Sequence, residues 1–151
     1  MLAIINKSGI KKAGIRFVWG GGFVMLDQIT KYLIRQNDGF YICNDGVAFG
    51  IKIPQTLLIV FLILFLLSGL TFLFIKRKSD FLANKIIRFG LILLLLGALS
   101  NIIDRFRWGC VIDFIDIGIL NFPLFNLADI LITIGAGLII WGNLGDSSTD
   151  K

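Results

Sequence analysis

The chain has 151 residues, of which 56% are hydrophobic and 13% aromatic, with a mean hydropathy of +0.86; this excludes an ordinary soluble domain and marks an integral membrane protein. The net charge is +5, but the cations gather at the ends of hydrophobic runs and form no basic stripe, so topology accounts for them and nucleic acid is not an expected partner. Histidine and glutamate are absent and all ten acids are Asp, which excludes Ser-His-Asp and Cys-His catalysis, an H-E-x-x-H zinc site and His-ligated haem.

A single domain over residues 1–151 is expected, an all-α membrane protein built as a four-transmembrane-helix bundle with small extracytoplasmic β-hairpin or loop elements. The spans fall at about 13–34, 53–75, 86–104 and 123–144. Lys11, Lys12 and the apolar run after them resemble a cleavable leader, but Arg16 within the run, Asp27 near its end and the lack of an A-x-A site favour an uncleaved first helix. Asp27 and Lys31, at i, i+4 in the favourable order, are expected to pair and close its outer end. Residues 37–52 read as a hairpin, with Phe40–Cys43 and Val47–Phe49 flanking Asn44-Asp45-Gly46, where Gly46 supplies the turn.

Ile53 to Ile75 carries no charge and as a helix reaches about 35 Å, enough for a hydrocarbon core of about 30 Å. The third and fourth spans differ. Their charge-free runs, Phe89 to Ile103 and Ile130 to Gly145, reach only about 22 to 24 Å, so polar groups intrude into one leaflet. Lys7, Lys11, Lys12, Arg16, Lys76, Arg77, Lys78, Lys85 and Arg88 lie on one side, against Lys31, Arg35, Lys52, Arg105 and Arg107 on the other. Both termini are therefore expected in the cytoplasm, with the polar intrusion toward the outer face. Cys110 to Phe114 is β-like, and Pro123 is placed to open the fourth helix. Cys43 and Cys110, both in outer loops, read as small apolar fillers in preference to a disulfide. Trp19, Trp108 and Trp141 fall near expected membrane–water boundaries and read as interface anchors.

Ionisable groups at membrane depth are costly and mark chemistry or a transport path. With a helix start at Pro123, Asp129 lies about 9 Å along the helix, with Asn126 one turn earlier on the same face. Asp113, on the preceding loop, can fold back to meet it. Two carboxyls in contact do not both ionise easily, and the shared proton leaves one base and one acid. Three alternatives stay open: Asp129 as a helix-start residue bonding backbone amides, Asp113 as a solvated loop acid, and both as parts of an ion path. Asn101, Asp104 and Arg105 share one helix face, either to hold a substrate oxygen or to cap and snorkel. A small proton-coupled carrier or channel subunit is the rival from another class. A Ser/Lys peptidase using Ser100 with Lys31 or Lys52 is a third reading.

Asp27-Gln28-Ile29-Thr30-Lys31, Asn44-Asp45-Gly46-Val47-Ala48-Phe49, Asn101-Ile102-Ile103-Asp104-Arg105 with Gly109, Val111 and Asp113-Phe114-Ile115, and Pro123-Leu124-Phe125-Asn126-Leu127-Ala128-Asp129 together resemble the bacterial lipoprotein signal peptidases (signal peptidase II), over about residues 13 to 145. The resemblance implies a metal-independent peptidase without cofactors, with Asp113 and Asp129 as aspartyl dyad, Asn44, Asn101, Arg105 and Asn126 positioning substrate, and Asp27, Lys31, Asp104 and Gly46 supporting the fold. It also implies a diacylglyceryl-bearing prolipoprotein as substrate, cut just before the lipidated cysteine, and a monomer among membrane lipids of the bacterial inner membrane. Ser100 departs from the family's usual Gly and is expected to loosen helix packing slightly; Asp45 takes a place often held by Thr.

Overall fold

The computed structural model describes residues 7–46, 53–75, 84–119 and 122–146, with side chains described for residues 21–46, 53–73, 84–119 and 122–144. These residues form four helices, α1 (Lys7–Gln36), α2 (Gln55–Ile75), α3 (Lys85–Trp108) and α4 (Leu127–Asp146), and two short strands, β1 (Ile42–Asn44) and β2 (Val111–Asp113). Three of the helices, at Gln55–Leu73, Lys85–Trp108 and Leu127–Leu144, are long and apolar enough to cross a membrane. At 1.5 Å per residue α3 measures about 36 Å and α4 about 30 Å, so both exceed their charge-free runs and carry polar residues into the span.

Each helix end has a local cause. The chain leaves α1 through Asp38, whose φ of 51° is a left-handed value that short polar side chains tolerate, while Gly39 donates back to the Ile34 carbonyl. Asn84 caps α3 by accepting from the Ile86 amide at 2.9 Å. Gly109, with φ 77°, ends α3 by donating to the Arg105 carbonyl, and this left-handed turn sends the chain directly into β2. The start of α4 departs from expectation: it begins at Leu127, four residues after Pro123. The stronger signal is Asn126-x-x-Asp129, a reciprocal cap in which the Asn126 side chain accepts from the Asp129 amide at 3.0 Å and the Asp129 side chain accepts from the Asn126 amide at 3.1 Å. Asp129 thus sits in the first turn of α4 rather than deeper along it.

Small residues recur every seventh position on the facing sides of α3 and α4. A Cβ added at Gly90 would stand 2.7 Å from the Gly135 carbonyl oxygen, one at Gly97 2.5 Å from that of Ala128, and one at Gly142 2.6 Å from Ile87 Cγ1. Absence of side chains lets the two antiparallel backbones touch, the usual way helices associate where no hydrophobic force acts between them. Helix α2 is different, leaving Leu57, Phe61 and Leu64 each at least 60% exposed, as a helix apolar all round does when it faces lipid. Gly97→Ala is expected to destabilise the protein by about 1–3 kcal/mol through overpacking, measured by unfolding in detergent. Because the clash falls on Ala128, next to Asp129, activity should fall further than the remaining folded fraction explains.

The strand Ile42–Asn44 runs antiparallel to β2, with Ile42 opposite Asp113, Cys43 opposite Ile112 and Asn44 opposite Val111. The other arm of the expected hairpin, residues 47–49, lies outside the described residues. The Asn44–Gly46 turn is closed by the Asn44 side chain accepting from the Gly46 amide at 3.1 Å. Cys43 and Cys110 are joined in a disulfide with Cα atoms 5.4 Å apart, which corrects their reading as separate fillers. Side chains two residues apart on a strand share a face, so the register itself sets Cys43 diagonally beside Cys110. Beyond β2, Ile115 and Phe125 exchange backbone hydrogen bonds of 2.8 and 3.2 Å and close the following loop onto the start of α4.

Candidate active site

The turn at Gly109, the β1–β2 pairing and the Ile115–Phe125 closure bring Asp113 to the same cavity as Asp129. This cavity, about 600 Å³, opens between α2, α3 and α4, and both carboxylates line it together with Asn44, Asn101 and Arg105. Asp113 is 3% exposed, so it is not a solvated loop acid. Asn126 touches both acids: its side-chain amide donates to Asp113 Oδ1 at 2.7 Å and its backbone amide to Asp129 Oδ2.

The three asparagines share one logic. Asn44 accepts at its carbonyl from the Gly46 amide, Asn126 from the Asp129 amide and Asn101 from the Lys31 ammonium, all partners that can only donate. Each must therefore present its NH₂ to a carboxylate: Asn44 to Asp113 Oδ2 at 2.9 Å, Asn126 to Asp113 Oδ1, and Asn101 to Asp129 Oδ1 at 2.8 Å. Every oxygen of the two acids thus accepts a hydrogen bond. One N–H of each of these asparagines is engaged with an acid. Arg105 differs. It is 7% exposed and its Nη2 donates to the Gly46 carbonyl, while among the described residues Nε and Nη1 have no hydrogen-bond partner. Buried guanidinium donors are ordinarily satisfied, so this pair marks where a bound acceptor would sit.

Behind the acids lies a polar network tying α1 to α3 and α4. Lys31 pairs with Asp27 and with Asp104, each at 2.7 Å, so the expected Asp27–Lys31 pair is present and has a third member. Asp27 also accepts from the Ala128 amide at 3.1 Å and from the Ser100 hydroxyl at 2.7 Å, and Asp104 accepts from Gln28 at 2.7 Å and from the Ile112 amide. Ser100 is fully buried and hydrogen-bonded, so it knits α1 to α3 where looser packing was expected. That also disposes of Ser100 as a nucleophile, since it does not line the cavity. Lys52 lies outside the described residues.

Lys31 pairs with Asp27 and Asp104, and neither Asp113 nor Asp129 takes part in a salt bridge among the described residues. Burial above all, with the nearby Asp129 charge adding to it, pushes the Asp113 carboxyl up to about 6 against the hydrogen bonds of Asn44 and Asn126. A pair holding one proton contains a base for water and an acid for a carbonyl oxygen. Away from this end, Phe89 to Ala98 of α3 and Ile134 to Ile140 of α4 carry no ionisable group, so these acids continue into no charged path along the helices. Of the three tryptophans, Trp108 lies under the Arg35 guanidinium at 3.8 Å, Trp141 is 72% exposed, and the side chain of Trp19 lies outside the described residues.

Residues 21–144 match the family model described as signal peptidase (SPase) II. The lipoprotein signal peptidases of Staphylococcus aureus strains JH9 and Newman are each 37% identical to the chain over 144 residues, covering 85% of it and 86% of the relative. Two solved structures, described as bacterial membrane enzyme structures by the in meso method at 2.3 and 1.9 Å resolution, align with TM-scores of 0.79 and 0.75. Both are 33% identical; they cover 91% and 88% of this chain and 92% and 94% of their own. With the family match running from within α1 to the last turns of α4, the chain belongs to the signal peptidase II family.

Proposed function

We propose that the protein is an aspartyl endopeptidase of the bacterial inner membrane that removes the signal peptide from diacylglyceryl-modified prolipoproteins, cutting before the lipidated cysteine, with Asp113 and Asp129 as its acid–base pair. One observation carries the reading: two acids on separate elements open on one cavity within the helices, bridged by Asn126. The ionised member takes a proton from water as the oxygen attacks the scissile carbonyl, and the protonated member gives its proton to the carbonyl oxygen. Collapse of the resulting diol breaks the C–N bond: one diol hydroxyl gives its proton to the ionised acid as the leaving nitrogen takes the proton of the other, and the one-proton state returns. Arg105 Nε and Nη1 hold a substrate carbonyl, and the apolar wall at Leu58, Leu62, Ala98 and Ile132 takes lipid chains or leader side chains. Partitioning of the acyl chains into the leaflet supplies part of the orientation.

Helix α1, at 30 residues, serves as the fourth span, with Asp27 and Lys31 satisfied within the bundle. The Lys/Arg asymmetry supports cytoplasmic termini and a site toward the outer face, where an oxidising medium keeps the Cys43–Cys110 bond. Both acids come from one copy, which supports action as a monomer.

The test uses purified protein in lipid with one precursor in two forms, diacylglyceryl-modified and unmodified, each with and without chelator. Chelator-resistant release of the leader from the modified form alone is the expected result; cleavage of neither form overturns the reading. The pH profile follows from Asp113. Since its proton is lost near pH 6 and the doubly ionised pair has no acid, kcat/KM is expected to fall as pH rises through about 6. Bound substrate removes more water from Asp113, so the same limb in kcat should lie at higher pH.

A further inference from the structure

Lys31 is 1% exposed and lies on α1, which gives the cavity none of the residues named at its wall. Its ammonium has three partners: Asp27 Oδ2 and Asp104 Oδ2 at 2.7 Å, and Asn101 Oδ1 at 3.0 Å. The third contact is not needed for charge, since the two carboxylates already offset the cation. What it fixes is the sense of an amide. The two ends of an asparagine side chain have nearly the same shape, so packing alone does not choose between them. An ammonium, which has no lone pair, does choose: it holds the Asn101 oxygen and turns the NH₂ to Asp129 Oδ1, 2.8 Å away. Without it the amide is free to turn over and set its carbonyl lone pairs against the carboxylate.

We propose that Lys31 is a positioning residue for Asp129, acting through Asn101 by locking that amide as a donor. The proposal rests on Asp129 being half of the acid–base pair. Gly46 and the α4 amide do the same for Asn44 and Asn126 with backbone N–H groups; on α3 no free backbone N–H is at hand, because the helix uses its own, and a buried side chain from α1 takes that part.

The test compares Lys31→Met with the triple variant Asp27→Asn/Lys31→Met/Asp104→Asn, which removes the lysine without leaving buried anions unpaired. Each is measured for melting temperature, kcat and KM on the lipidated precursor, alone and with Asn101→Ala. The expected result is a fall in kcat of about 10- to 100-fold with KM changed less than about twofold, as small misplacement of a reacting group produces. In the Asn101→Ala background the same changes should cost less than about threefold more, because both act through one contact. A folded triple variant with kcat near that of the parent, or losses that multiply with Asn101→Ala, overturns the proposal. Asn101→Asp keeps the shape and gives Lys31 an ionic partner, so it carries the test even if neither lysine variant folds: it should lose kcat at unchanged KM, and full activity overturns the proposal. Asp129→Asn is the control. If that variant is active, the acid–base reading itself fails; if it is inactive while the lysine variants turn over normally, the role of Lys31 alone fails.

Discussion

Asp113→Asn and Asp129→Asn are each expected to lower turnover of lipidated precursor by about 10³-fold or more, because a pair that shares a proton loses both the base and the acid when either partner can no longer ionise. Acting as a unit, the two should not contribute additively, and the double variant should be little worse than either single one. Folding should be nearly unaffected. An amide at 113 keeps one acceptor for either Asn44 or Asn126 and gives up the other hydrogen bond, while the buried negative charge beside Asp129 disappears. These opposing effects leave the melting temperature within a few degrees. The decisive measurement is therefore cleavage by a variant whose melting curve overlays that of the parent. Full turnover by either single variant removes the dyad from the mechanism, and loss of activity only together with loss of fold reduces the acids to structural parts.

What the sequence disclosed follows from the range over which each signal acts. Asp27 and Lys31 were legible as a pair because helical geometry places i and i+4 together whatever surrounds them. Asp129 was legible because a charge-free run too short for the membrane needs polar residues at its end. The second partner of Lys31, Asp104, is 73 positions away and no local rule reaches it. The strand at Ile42–Asn44 shows the same limit: its pairing with β2 and its disulfide to Cys110 lie across the fold, where no turn residue points. Proline at 123 and the reciprocal cap Asn126-x-x-Asp129 are competing start signals for α4, and the cap sets the start because it satisfies two amides at once. The seven-residue spacing of Gly90 and Gly97, and of Ala128, Gly135 and Gly142, was equally readable and predicts which two helices touch; composition alone had suggested only a bundle. Of the residues that the resemblance linked to substrate, Arg105 has two donors without a partner among the described residues, and the three asparagines each bond an acid, contacts that no local pattern discloses.

Asn126→Ala is expected to have the second largest effect, a fall in kcat/KM of about 10²- to 10³-fold, since it deletes a hydrogen bond to a buried carboxylate and frees the first turn of the helix carrying the other acid. Two contributions are mixed in that number. The side chain caps α4 by accepting from the Asp129 amide, a role whose loss costs about 0.5–2 kcal/mol, and it separately donates to Asp113 Oδ1. Asn126→Ser separates them, because a serine hydroxyl serves as a helix cap but is too short to carry the amide's N–H donor to Asp113. If the donor to Asp113 is what matters for chemistry, the serine variant melts close to the parent yet remains at least about tenfold slower. If capping were the whole contribution, serine would restore activity along with stability, and the bridge between the two acids would be a feature of folding alone.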